Sequence, residues 1–364
     1  MAYKAFNPDF TCKGKQYEEN TTYEENGNEI CEAGVMHYCE NPFDVLDYYP
    51  LVNENGEISE FAEVEPLGKV FKRENKCATN KLHIKAKLGL KGFIKACVDF
   101  TLEKTKIEEI EDGIENDNGN NSAKIGSSGY SAQIGSSGYS AQIGSSGDSA
   151  QIGSSGDYAK IGSSGDYAKI GSSGYSAKIG SSGDYAKIGS SGDYAKIGSS
   201  GYSAKIGSSG YSAQIGSSGY SAQIGSSGDY AKIGSSGYYA KIGSSGYSAK
   251  IGSSGYSAQI GSSGYSAQIG SSGYSAKIGS SGDYAKITSK GKHSVVMAAG
   301  YQSQAKAKKG SWITLAEWVR TDDEKGFCIW IPKCVKTEYV DGERIKEDTF
   351  YKLVDGEFKE VEEN

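Results

Sequence analysis

From residue 123 to residue 284 the apolar and polar positions obey one nine-residue rule: Ala, Lys or Gln, Ile, Gly, Ser, Ser, Gly, Tyr or Asp, then Ser or Tyr. The rule holds through 18 consecutive copies without a gap. Ala and Ile stand two apart, so in an extended chain they share one face. The Lys or Gln between them points the other way, together with the ninth residue. Each unit therefore predicts a short strand, apolar inside and polar outside. The Gly-Ser-Ser-Gly that follows predicts a corner, with glycine supplying the positive φ of a sharp bend. A helix is excluded, because two glycines per unit cost roughly 2 kcal/mol relative to alanine and no 3.6-residue period is present. A flexible Gly/Ser linker has no need of Ala and Ile at fixed spacing in every copy. Unbroken periodicity of this length is the signature of a solenoid. A closed coil of nine residues would be very tight, so two units per coil are expected, and nine such coils make a rod of about 43 Å at one strand spacing per coil.

The flanks carry different patterns. Residues 81–88 alternate polar and apolar as a half-buried strand with His83 outward. Phe93, Ile94, Cys97, Val98 and Leu102 fall at helical spacing and predict a helix near 90–104. Residues 41–50 predict a short helix closed by Pro50. Residues 104–122 are acidic and polar, a linker or the lead-in to the first coil. After Thr288 replaces a repeat glycine, residues 294–300 read as a larger final coil. The β-rich runs beyond it hold all three tryptophans, Trp312, Trp318 and Trp330. The fold class expected is mainly β: a β-solenoid over residues 123–293, preceded by a small α+β domain (1–103) and the acidic linker (104–122), and followed by a small β-rich C-terminal cap (294–364).

Charge and tyrosine refine the rod. The chain carries a net charge of −6, yet the repeats hold 11 lysines against 7 aspartates, so the flanks carry −10. That balance argues against a protein that coats nucleic acid generally. Where the eighth position is Asp the ninth is usually Tyr, and where the eighth is Tyr the ninth is usually Ser, so each unit carries about one aromatic. A stacked tyrosine ladder that stiffens the rod is one consequence. The other is a Tyr/Lys surface able to hold an extended ligand, with Lys124, Lys160, Lys169, Lys178, Lys187, Tyr158, Tyr167, Tyr185 and Tyr194 as the candidate binding residues.

Seven cysteines, an odd number and none in the repeats, fit a reducing compartment, and no C-x2-C pair suggests zinc. No catalytic residue, metal or cofactor is expected: there is no P-loop, G-x-S-x-G, H-E-x-x-H or Rossmann fingerprint, and His37, His83 and His293 lie in three separate regions. Only seven units carry the aspartate that a calcium-binding nonapeptide would need in each. No apolar run is long enough for a membrane span, and the first residues lack a secretion signal, so a cytoplasmic location is expected.

Two resemblances add to this. The runs around Cys12-Lys13-Gly14-Lys15, Cys31-Glu32-Ala33-Gly34-Val35-Met36-His37-Tyr38-Cys39, Asn41-Pro42-Phe43-Asp44 and Phe61-Ala62-Glu63-Val64-Glu65 resemble an uncharacterised domain family of phage, prophage and gut-bacterial proteins. Its members often continue into Ala/Ser/Gly-rich repeats. The family usually has Gly-Phe-His where this chain has Gly34-Val35-Met36-His37, and it has no established activity to carry over. Gly34 and His37 before a helix ending in Tyr48-Tyr49 are also similar to the nucleotide-binding strand of ADP-ribosyltransferase-like folds, with no partner glutamate assignable.

The resemblance and the missing catalytic constellation imply a non-catalytic phage-type protein whose rigid solenoid engages a macromolecular partner, foremost a protein, in the host cytoplasm. Inhibition of a host defence system is the sharper form of that expectation. Two alternatives stay open. One is a fibre or adhesin-like rod, similar to the heads of trimeric autotransporter adhesins and self-associating through the C-terminal cap. The other is a binder of nucleic acid or nucleotide along the Lys/Tyr rows.

Overall fold

The protein, described over residues 1–27, 29, 34–73, 76–104, 114–117, 122–324 and 327–362 of a computed structural model, winds its nonapeptides as expected. In each unit the Lys or Gln, the Ile, the first Gly and the first Ser form a four-residue strand, as in Lys169–Ser172 and Lys178–Ser181. Each strand pairs in parallel with the strand two units on, so Ile170 lies beside Ile188 and Ile179 beside Ile197. Two units therefore make one coil. Alternate units build two sheets of 13 strands, with one buried Ala/Ile core between them.

The ladder does not stop at the corners. Gln151 donates its N–H to the Ala132 carbonyl at 2.8 Å, Ser155 to Ser136 at 3.0 Å and Tyr158 to Tyr139 at 2.8 Å, each reaching the coil before. The first serine of each unit turns inward, and in most units its Oγ accepts from the N–H of the second glycine, as in Ser154 and Gly156 at 3.3 Å, while the Oγ atoms of Ser163, Ser181, Ser199, Ser226 and Ser244 are buried without such a bond. Backbone polar groups that an apolar core this thin could not leave unpaired are thus satisfied rung by rung.

The corners depart from expectation in one respect. None of the repeat glycines has a positive φ. In five units from Tyr230 onward the left-handed conformation falls on the ninth residue, with φ between 54° and 56° at Tyr230, Ser248, Ser266, Ser275 and Tyr284, but not at Tyr239 or Ser257. The second glycine is required for a different reason. A Cβ on Gly165, Gly183 or Gly201 would sit 1.9 Å from the carbonyl oxygen of the equivalent glycine one coil before. Close approach of stacked backbones, not a dihedral, excludes a side chain there.

The N-terminal part is α+β. A four-stranded antiparallel sheet runs in the order Ala2–Phe6, Glu60–Pro66, Lys81–Lys87, Thr21–Glu24, and a three-stranded one pairs Met36–Tyr38, Lys76–Thr79 and Val70–Arg73. The expected helix spans Gly89–Lys104, and the short helix is a 3-10 turn, Pro42–Asp47, capped by the Asn41 side chain. Flanking in sequence does not mean flanking in space. Instead of closing the end of the rod, this domain lies along its side. Its helix packs across the strands Gln142–Ser145, Lys160–Ser163, Lys178–Ser181 and Lys196–Ser199.

The rod is longer than the repeats. Ile114–Asp117, within the stretch expected to be a linker or the lead-in to the first coil, pairs in parallel with Gln133–Ser136 as an additional rung, in keeping with the second of these. At the other end the ladder passes residue 293 through Val295–Ala298, Gln304–Ala307 and the start of Trp312–Asp322. Inward Val296, Ala298, Ala305, Ala307, Ile313 and Leu315 prolong the core once Gly-Ser-Ser-Gly has gone, because alternation alone keeps the strand facing. Both sheets then end on antiparallel strands. Trp312–Asp322 folds back on Cys328–Tyr339, while Tyr351–Val354 meets Gln304–Ala307 and then Glu357–Glu360.

Replacing Gly201 by Ala should force two coils apart and destabilise the rod by about 1–3 kcal/mol, the usual cost of overpacking. Gly207→Ala, whose Cβ meets nothing within 4 Å, should leave thermal unfolding followed by circular dichroism nearly unchanged.

Candidate functional site

The outward positions of the two sheets are the Lys or Gln and the first Gly of each unit, and the sequence gives both sheets the same face. On one sheet the N-terminal domain covers that face. The 3-10 turn and the chain after it run along the lysine row, advancing rung by rung. Asp44 pairs with Lys160 at 2.7 Å and Asp47 with Lys178 at 2.7 Å. Lys178 also donates to the Phe43 carbonyl at 3.3 Å, and Lys196 donates to the Leu46 carbonyl. Gln214 Oε1 accepts from the Leu51 N–H at 2.9 Å, and Glu54 bridges Lys232 and Lys250. Six consecutive rungs are read in this way.

Aliphatic groups fill the glycine row beside them. A Cβ added at Gly180 would meet Phe43 and Ile94, at Gly216 Leu51 and Leu90, and at Gly234 Ile58 and Val52. At Gly252 it would lie 1.9 Å from the Gly56 carbonyl oxygen. Burial and the neighbouring Lys178 charge lower Lys196 to about 8. Hydrogen bonds from Lys232 and Lys250 lower Glu54 from 4.5 to about 2.

On the opposite sheet the same rows are bare. A trough of about 1690 Å³ runs from Gln133 to Lys277, floored by glycines and edged by the Lys and Gln side chains. Lys169, Lys187, Lys205, Lys241 and Lys277 are exposed, and no ion pair joins any of them to another described residue. Side chains added at Gly153, Gly171, Gly189, Gly207, Gly225, Gly243 or Gly261 would touch nothing. At the C-terminal end Val295 and Met297 take the Lys and Gly positions, and the Met297 methyl would stand 3.6 Å from a Cβ at Gly279.

Tyrosines line the two corners rather than the faces. Tyr202, Tyr220, Tyr238, Tyr256 and Tyr274 stack in one corner at 4.8–5.4 Å with ring planes within 22°. Where tyrosine changes slot between coils the rings tilt instead, as in Tyr139–Tyr158 and Tyr175–Tyr194 at 57° and 59°. Aspartate takes the eighth position for a backbone reason. Its carboxylate accepts the N–H of the eighth residue one coil on, Asp229 from Tyr247 and Asp283 from Tyr301, both at 2.7 Å.

The expected Lys/Tyr surface is therefore divided among four surfaces. Lys124, Lys160 and Lys178 belong to the sheet that the N-terminal domain packs on, and of these Lys160 and Lys178 are engaged by it. Lys169 and Lys187 edge the open trough. Tyr158 and Tyr194 lie at one corner, Tyr167 and Tyr185 at the other, the last two stacked at 5.3 Å. Sequence reasoning missed Asp44, Asp47 and Glu54 as partners of the lysine row. Their signal was present, since three acids within eleven residues follow an N-cap and precede no basic partner of their own.

Other candidate chemistry is structural in setting. His37 lies on Met36–Tyr38, half-buried, with Nε2 unpartnered. Burial and then the Lys76 charge lower it to about 4, so the ring stays neutral near pH 7. Cys12, Cys39, Cys77 and Cys97 are buried thiols, and burial pushes Cys39 up to about 12. Cys31 falls outside the described residues. Among those described, no three His, Cys, Asp or Glu side chains are grouped to hold a metal, and no helix is long and apolar enough to cross a membrane.

Residues 1–96 match the model of a family described as a domain of unknown function, DUF7666. The match covers the N-terminal domain into its helix and leaves out the solenoid. No curated protein and no solved structure matches the chain.

Two outcomes test the docking. Gly252→Ala should release the loop around Gly56, seen as faster amide exchange over residues 51–58, while Gly243→Ala on the open sheet should not. A carboxylate held at about 2 stabilises docking above its ordinary 4.5 and loses that contribution as pH falls between the two values. Exchange over the same residues should therefore rise from pH 4.5 downward in the wild type and show less of this rise in Glu54→Gln.

Proposed function

We propose that this is a non-catalytic binding protein in which a rigid solenoid presents one long face to a macromolecular partner, foremost a protein. The observation that carries the reading is the asymmetry between two sheets of the same sequence, one covered by the chain's own domain and one that no other described residue covers from Gly153 to Gly261. Stacked coils joined by hydrogen bonds at every rung make a surface that costs little ordering on binding, which favours affinity through preorganisation. The resemblance of the N-terminal runs to a phage and prophage family supports a host cytoplasmic setting. A component of host defence is the partner class that setting favours.

A second reading has its own observation. On the C-terminal hairpin Phe327, Ile329, Trp330, Ile331 and Val335 are exposed together, a patch able to pair copies of the chain into an oligomeric rod. Light scattering that gives a monomer would remove it.

The first reading is tested by capture from host lysate with cross-linking to locate footprints. The control carries Glu at Lys169, Lys187, Lys205, Lys241 and Lys277 and Ser at Tyr202, Tyr220 and Tyr256. A partner cross-linked to the solenoid and lost with the control is expected. Equal retention by both chains would overturn the reading.

A further inference from the structure

The covered sheet shows what this face binds, and the bare sheet carries nearly the same instructions. Along the covered row the residues meeting the N-terminal domain are Lys160, Lys178, Lys196, Gln214, Lys232 and Lys250. In the same six coils the open row reads Lys169, Lys187, Lys205, Gln223, Lys241 and Gln259. Five of the six rungs agree, including the single Gln among lysines. On the covered side that Gln is where a backbone N–H, from Leu51, replaces the acceptors met at the lysines. Both rows stand beside the same line of glycines. On one side it is filled by Phe43, Leu51, Val52 and Ile58 at Gly180, Gly216 and Gly234, and by Val98, Ile94 and Leu90 of the helix between and beside them. On the other a Cβ meets nothing within 4 Å from Gly153 to Gly261.

From this internal precedent we infer that the open trough is a docking site for a protein segment with the chemistry of residues 41–58: acidic, aliphatic and followed along its edge. This rests on the binding reading above and names the partner's recognition chemistry. The occupant places acceptors, carboxylate or carbonyl, over Lys169, Lys187 and Lys205. It offers a backbone N–H to Gln223 and a carboxylate to Lys241, and its apolar side chains lie on Gly189, Gly225 and Gly243, the counterparts of Gly180, Gly216 and Gly234. Five lysines of the trough, none in an ion pair with another described residue, supply the complementary charge. A second copy of this chain does not meet these terms. Its own segment is spent on its own covered sheet, and two open faces would oppose lysine to lysine. Val295 and Met297 close the trough at its C-terminal end and so fix where the occupant stops.

The test uses the full chain and a synthetic peptide of residues 41–58. Lysine acetylation is followed by mass spectrometry with and without the peptide. In the free chain Lys187 and Lys205 should react several-fold faster than Lys160 and Lys178. Saturating peptide should slow Lys187 and Lys205 several-fold and leave Lys290 unchanged. A peptide carrying Lys in place of Asp44, Asp47 and Glu54 should protect nothing. Gly225→Val, at a position whose Cβ meets nothing within 4 Å, fills the seat equivalent to that of Leu51 and should abolish protection, as should the pair Lys187→Gln and Lys205→Gln when binding is read by fluorescence anisotropy. Gln is native to this row at 151 and 259, so folding is not at risk. Unchanged reactivity of Lys187 and Lys205 at saturating peptide would overturn the inference. So would protection that survives Gly225→Val, or protection by oligothymidylate of about 20 nucleotides in place of the peptide. A natural partner whose footprint lies on the tyrosine corners would remove this site while leaving the protein a binder, whereas no macromolecular partner at all would remove both.

Discussion

Stacking of coil on coil through ladders of backbone hydrogen bonds governs everything else in this molecule. It fixes the spacing of successive coils and leaves no room for a Cβ at the second glycine of each unit. It also keeps identical residues in file, so that a choice made once per nonapeptide becomes a row on a surface. Through the repeats the apolar core between the sheets is only Ala and Ile. Hydrogen-bond ladders, inward serines and stacked tyrosines supply the order that apolar burial in so thin a core cannot supply alone.

The same regularity creates the question that the N-terminal domain answers on one side. A flat face floored by glycine has no relief of its own, and specificity comes from the alternation of Lys and Gln along the edge. Asp44, Asp47 and Glu54 use that alternation as a register mark, and Phe43, Leu51 and Ile58 use the missing Cβ atoms as seats. Charge sets position, and shape supplies contact area. Neither would hold the domain in place alone, since partly exposed ion pairs contribute little and a uniform glycine strip permits sliding.

Much of this was legible beforehand. Period two within period nine placed Ala and Ile inside and Lys or Gln outside, and tertiary contacts did not overrule it. The helix at 89–104 and the strand at 81–87 followed from local pattern for the same reason. What escaped were relations between distant residues. Glycine was expected to serve the bend, yet its role is set by the coil before it, which no single unit reveals. Grouping the lysines on one surface overlooks what two units per coil already imply, that successive units face opposite ways. The lateral seat of the N-terminal domain depends on pairs such as Asp44 with Lys160, more than a hundred residues apart, with no local trace. Residues 114–117 and 294–307 join the ladder without the nonapeptide, since the rung asks for strand geometry rather than for a particular composition.

Because a coil is built from two nonapeptides, the rod has a parity. Deletion of one unit would turn every unit beyond it to the other side, delivering to the N-terminal domain lysines and glutamines meant for the free face and giving each tyrosine column the wrong neighbours. Deletion of two adjacent units only shortens the stack by a rung. A tandem array of this kind tolerates change in steps of eighteen residues and resists it in steps of nine, so its length and its facing are inherited together.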